Sequence, residues 1–86
     1  MYWDVINGPG LGGTGNWTGS KTWNTDAAGG NGNTLQNWNS GDSAIFGGTA
    51  GTVTVNSATT VGAMTFNVSG YTIDGTQKLT LSAPSL

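Results

Sequence analysis

No stretch of this chain runs beyond ten residues without a glycine or a proline, and the longest such stretch is TVTVNSATTV, residues 52–61. An isolated helix is marginal below about 12–15 residues, and each interior glycine costs about 1 kcal/mol relative to alanine. Helix is therefore excluded as an organising element. The one long uninterrupted segment is rich in β-branched residues and alternates with period two, which favours strand. What remains is a chain of short strands and turns, an all-β fold.

The side chains that most often do chemistry are missing. There is no cysteine and no histidine, and the only charges are Lys21 and Lys78 against Asp4, Asp26, Asp42 and Asp74. A net charge of -2 with no basic patch gives nothing to attract nucleic acid. A disulfide framework and a thiolate metal site are both ruled out. No run of about 18 apolar residues exists that would span a membrane as a helix. Met1-Tyr2-Trp3-Asp4 has neither a basic nor an apolar leader region, so an exported form would begin as mature sequence or as a segment. Thr, Ser, Asn and Gly carry the solubility instead of charge, a surface expected of extracellular or cell-surface material.

The chain divides near Gly41. Residues 1–40 are rich in Gly, Asn and Trp and form an N-terminal cap or arm. Residues 41–86 form a series of short strands between turn residues. These strands are Ala44-Ile45-Phe46, Val53-Thr54-Val55, Met64-Thr65-Phe66, Tyr71-Thr72-Ile73 and Leu79-Thr80-Leu81. In four of the five a threonine separates two apolar residues, so one face is dry and the other carries hydroxyls. The expected inward set is Ala44, Phe46, Val53, Val55, Val61, Met64, Phe66, Tyr71, Ile73, Leu79 and Leu81. Val61 and Met64 cannot face the same way in one regular strand, and Gly62 between them marks a bulge or corner.

Two architectures fit. One is a parallel β-helix, or solenoid, with a Trp-rich N-terminal cap, each strand forming one side of a coil. On that reading the separation of 26 residues from Val53 to Leu79 suits one three-sided coil. The other is an antiparallel β-sandwich or meander with Asp74-Gly75 as a hairpin turn.

The chain resembles the autotransporter-associated β-strand repeat family, also called passenger-associated transport repeats, at the amino-terminal start of a large secreted β-helix protein. The matching residues run in order. They are Tyr2-Trp3-Asp4, then Gly12-Gly13-Thr14-Gly15-Asn16-Trp17, Trp23-Asn24 and the run from Trp38-Asn39-Ser40-Gly41-Asp42 to Gly47-Gly48. Gly51-Thr52-Val53-Thr54-Val55, Val61-Gly62-Ala63-Met64-Thr65-Phe66, Gly70-Tyr71-Thr72-Ile73 and Leu79-Thr80-Leu81-Ser82 follow. The resemblance implies a right-handed parallel β-helix, exported to the cell surface or beyond, with no enzymatic role in the repeat.

No catalytic, cofactor or metal residue is expected. Gly8, Gly10 and Gly13 satisfy G-x-G-x-x-G, but Thr14-Gly15-Asn16-Trp17 cannot open the helix which that fingerprint needs, so they read as a turn. Gly29-Gly30-Asn31-Gly32 is close to a calcium-binding nonapeptide, yet Thr34 stands where the aspartate belongs and Gln36 where the apolar residue belongs. Asp26 with Asn24 and Asn31 could supply only a weak oxygen site, and a solvated loop is the preferred reading. Asp42 beside Ser40-Gly41 and Asp74 before Gly75 look like turn residues rather than a catalytic pair. Asn16-Trp17-Thr18 and Asn67-Val68-Ser69 are formal glycosylation sequons that a chain of this composition produces by chance.

Trp3, Trp17, Trp23 and Trp38 carry two readings. Exposed, they would stack on sugar rings and make a polysaccharide-binding adhesin module; buried, they would close the end of a solenoid. The cap is preferred. A short solenoid leaves strand edges and apolar residues open, so Tyr71, Ile73, Leu79 and Leu81 are expected at a self-association edge. Head-to-tail stacking into a homo-oligomeric fibre or stalk is the expected assembly.

Overall fold

The computed structural model of the chain describes residues 1–6, 10–19, 21–27, 29 and 35–82. Gly8 of the glycine fingerprint, Gly30, Asn31, Gly32 and Thr34 of the nonapeptide-like loop, and Ala83-Pro84 lie outside the described residues. Among the described residues the regular structure is all strand. In chain order the elements are β1 (Tyr2–Trp3), β2 (Gly15–Asn16), β3 (Trp23–Asn24), β4 (Leu35–Gln36) and β5 (Ala44–Phe46). They continue with β6 (Thr52–Thr54), β7 (Thr59–Val61), β8 (Met64–Phe66), β9 (Thr72–Asp74) and β10 (Leu79–Leu81). The shortness follows from the sequence, because a glycine or another turn residue ends each apolar-Thr-apolar unit before it can extend.

From Ala44 onward the chain visits three sheets in turn and then revisits them in the same order. Ile45 of β5 pairs with Thr65 of β8, Val53 of β6 with Ile73 of β9, and Thr59 of β7 with Leu79 of β10. All three pairings are parallel and all join residues twenty apart. The first part of the chain supplies an underlying layer. Tyr2 pairs parallel with Ile45, and Gly15–Asn16 pair parallel with Val53–Thr54. The backbone of Gly41 donates to the Thr60 carbonyl, and that of Gly62 to the Asp42 carbonyl. β3 then pairs antiparallel with β1, and β4 antiparallel with β3. The five-stranded sheet β4-β3-β1-β5-β8 is therefore mixed, while β2-β6-β9 and β10-β7 are parallel.

Two expectations are corrected here. Val53 and Leu79, 26 residues apart, are not partners, because the stretch 52–61 is two strands in two sheets rather than one. Asp74-Gly75 is not a hairpin turn, since β9 pairs with β6 and β10 with β7. Gly75 instead has φ 113°, and a Cβ there would lie 2.4 Å from the Val55 carbonyl oxygen of the layer below. The corner expected at Gly62 is present, between β7 in one sheet and β8 in another.

The core consists of Trp3, Trp17, Trp23, Ala44, Phe46, Val53, Val55 and Val61, with Met64, Tyr71, Ile73 and Leu79 partly buried against it. Two members of the expected inward set are exposed, Phe66 at 47% and Leu81 at 57%. Both sit in the last layer, with no described strand stacked beyond β8 or β10.

Candidate functional site

The two ends of the stack differ in chemistry, and the difference begins with the tryptophans. Trp3, Trp17 and Trp23 are fully buried, and Trp38 is half-buried. Trp23 sits at the centre of the cluster. Its ring lies 5.1 Å from Trp3, 4.9 Å from Trp17, 4.6 Å from Trp38 and 5.7 Å from Phe46, between centroids. Three of the four indole N–H groups are satisfied by backbone. Trp3 donates to the Gly13 carbonyl at 2.9 Å, Trp23 to Trp17 at 2.8 Å and Trp38 to Thr60 at 3.1 Å. Trp17 Nε1 has no oxygen acceptor, and its neighbours are rings, with Trp38 nearly perpendicular at 78°. Trp3, Trp17 and Trp23 thus present no exposed face of the kind the alternative sugar-stacking reading needs. Burying an indole with its N–H paired removes more apolar area from water than any other side chain offers here.

Polar groups lock this end. Asp4 and Asn24 are both buried, and the Asn24 amide donates to the Asp4 carboxylate at 2.8 Å. The Asn24 carbonyl oxygen accepts from the Asp26 backbone N–H, also at 2.8 Å. The antiparallel pair β1–β3 brings Asp4 and Asn24 together, a contact that sequence spacing does not disclose. Asn24 therefore takes part in a structural bond in the arrangement where a weak cation site was weighed. No group of three metal-binding side chains occurs among the described residues.

At the opposite end lie the residues expected at a self-association edge. Ile73 is on β9, and Leu79 and Leu81 are on β10. Tyr71 precedes β9 and donates its hydroxyl to the Gly47 carbonyl at 2.6 Å, one layer below. Burial pushes its phenol above the ordinary value of 10.0. The Phe66 ring stacks on Phe46 at 4.8 Å and 11°. Its neighbours Val68, Ser69, Gly70 and Tyr71 line with it an open cavity of about 250 Å³. β8, β9 and β10 are each the outermost strand of a sheet at this end.

Asp42 and Asp74 stay apart. The Asp42 backbone bonds Asn39 and Gly62, and the Asp74 carboxylate accepts from the Gly75 N–H at 2.7 Å. Gly10 and Gly13, the described members of the glycine fingerprint, also serve backbone pairing. Gly10 bridges Gly29, and Gly13 donates to Thr49.

The chain thus combines a buried tryptophan cluster with stacked parallel strands. It is 47% identical, across 86% of its length, to the adhesin BmaC autotransporter of Brucella suis biovar 1 (strain 1330). The chain spans about 2% of that relative's length. No family model and no solved structure matches it.

Proposed function

We propose that the chain is the capped start of a right-handed parallel β-solenoid, in the surface-exposed part of an autotransporter adhesin. Its role on this reading is structural and non-enzymatic. The tryptophan end begins the stack, and each later coil adds a layer on which further layers rest. The observation that carries the reading is the constant spacing of twenty residues in the three parallel pairings from Ala44 onward. Likeness to a protein called an autotransporter adhesin supports a cell-surface or extracellular location. No helix among the described residues is long and apolar enough to cross a membrane. Repeat architectures tolerate whole added units because each unit contacts only its neighbours.

The test is a duplication. A second copy of residues 44–63 is inserted between Ala63 and Met64. The solenoid reading expects a folded chain with more strand signal and a raised Tm. Unfolding on insertion of the complete unit would overturn it, as would equal tolerance of a half-unit insertion.

A further inference from the structure

We propose that the outward face of the β2-β6-β9 sheet binds an extended, uncharged polysaccharide lying along the stack, one sugar ring to each layer. The proposal goes beyond the structural role given above, and the growth of this face with added coils rests on the solenoid reading.

The face follows from the register. Val53 is fully buried and Ile73 packs against the core, so their neighbours Thr52, Thr54, Thr72 and Asp74 point outward. Parallel pairing lines the outward residues into two files. Asn16, Thr54 and Asp74 are direct partners in one. Thr52 and Thr72 are partners in the other, and Thr14, one residue ahead of β2, extends it. The Thr14 hydroxyl accepts from the Thr52 N–H at 3.1 Å. Layers lie about 4.8 Å apart and the two files about 6.7 Å apart. What is stacked on either end does not close this face. Thr52 and Thr54 belong to the central strand, with a neighbour paired on each side, and are still only half-buried.

Most of its polar groups are not used by the fold. Elsewhere threonines brace the structure: Thr18 donates to the Asn56 amide oxygen, Thr22 to the Asn16 carbonyl and Thr59 to the Ser57 carbonyl. Among the described residues the hydroxyls of Thr52, Thr54 and Thr72 and the Asn16 side-chain amide make no such bond. Asp74 holds the Gly75 N–H with one carboxylate oxygen, and the other adds an acceptor. Threonine methyls supply apolar spots between these groups. A sugar ring offers the matching set, hydroxyls at its rim and C–H groups on its faces. The layer spacing is close to the advance of one ring along an extended pyranose chain, so such a chain meets the same two files at every step.

Charge narrows the ligand. Asp74 is the one ionic group among these outward residues. Lys21 and Lys78 precede β3 and β10, which belong to other sheets. Nothing on the face neutralises a sulfated or uronic chain, and Asp74 repels one. The other outward faces are poorer, with one file each: Tyr2, Ile45 and Thr65 on one, Thr60 and Thr80 on the other. Three layers make a small contact, so affinity on the order of millimolar is expected, rising with each added rank.

Titration of the isotope-labelled full chain with cellohexaose, followed by two-dimensional NMR, tests this. Saturable shifts are expected at the amides of Thr52–Thr54 and Thr72–Asp74. Thr52→Val/Thr54→Val keeps the strand preference and should weaken binding by about fivefold or more. Thr60→Val/Thr80→Val should leave it unchanged. No saturable shift at millimolar sugar would refute the proposal. So would shifts centred on the Trp38 indole, an equal response to a heparin hexasaccharide, or a folded Thr52→Val/Thr54→Val chain that binds like the parent. The chain with residues 44–63 duplicated carries one more Thr-x-Thr rank and should bind several-fold tighter; a folded duplicate no tighter than the parent would refute the track along the stack. If the duplicate folds and neither form binds, only this proposal fails. If the duplicate unfolds, the solenoid reading fails and the parent titration still decides the face.

Discussion

Removing the Trp23 ring should cost this chain a large share of its stability. The ring is fully buried, sits within 6 Å of four other aromatic rings and donates its N–H to the Trp17 carbonyl. Truncating a buried Trp to Ala typically costs about 3–5 kcal/mol, and the Trp17 carbonyl would lose its donor as well. Small domains hold roughly 0.05–0.15 kcal/mol per residue. For 86 residues that is about 4–13 kcal/mol in all. Trp23→Ala should therefore remove from about a quarter of the total to nearly all of it. Trp23→Phe should lose less, because ring contacts survive while the hydrogen bond does not. Trp38→Ala should also lose less, because Trp38 is only half-buried. Urea titration followed by far-UV circular dichroism gives the three values. A Trp23→Ala loss below about 1 kcal/mol, or one smaller than that of Trp38→Ala, would refute the buried-cap argument.

Other substitutions report on single contacts. Gly62→Ala places a Cβ 2.6 Å from the Gly41 carbonyl oxygen, where the backbone is held by the Gly41–Thr60 and Gly62–Asp42 hydrogen bonds. It should cost about 1–3 kcal/mol by overpacking. Gly47→Ala, whose nearest neighbour would be 3.8 Å away, should be milder in the same denaturation assay. Asn24→Ala removes a buried donor from the Asp4 carboxylate and should lower stability by about 1.5–3 kcal/mol. Tyr71 has its phenol raised above 10.0 by burial, so the unfolded chain ionises first as pH climbs. The contribution of Tyr71 is complete below about pH 10 and is lost as pH rises through the higher folded value. Melting curves across that range should fall more steeply for the parent than for Tyr71→Phe. Parallel curves would discount this role for Tyr71.

Much of the strand layout was legible in the sequence. Met64–Phe66 and Leu79–Leu81 are strands as their apolar-Thr-apolar pattern implies, Ala44–Phe46 is a strand as its apolar run implies, and Gly62 marks a corner. The unit length was not legible. Val53, Val55, Thr59 and Val61 are all buried, so the alternation keeps its phase through the turn at Asn56–Ala58. A period-two pattern that survives a corner cannot reveal the corner, and β6 and β7 therefore read as one strand. The burial of the tryptophans was legible only as a choice. Asn, Thr and Gly flank the tryptophans whether the rings face water or core. What decides the matter is the supply of carbonyl acceptors from Gly13, Trp17 and Thr60, residues 6 to 22 positions away. The antiparallel strands β3 and β4 are two residues each, too short to carry any periodicity.

The layer spacing itself can be read by cross-linking. Thr60 and Thr80 are direct partners in parallel strands, at a separation suited to a disulfide. Thr60→Cys/Thr80→Cys should oxidise to a closed, folded monomeric chain. Thr54→Cys/Thr80→Cys, which tests the longer spacing first read from the sequence, should stay reduced. Closure of the second pair in place of the first would contradict the twenty-residue stack on which the whole account stands.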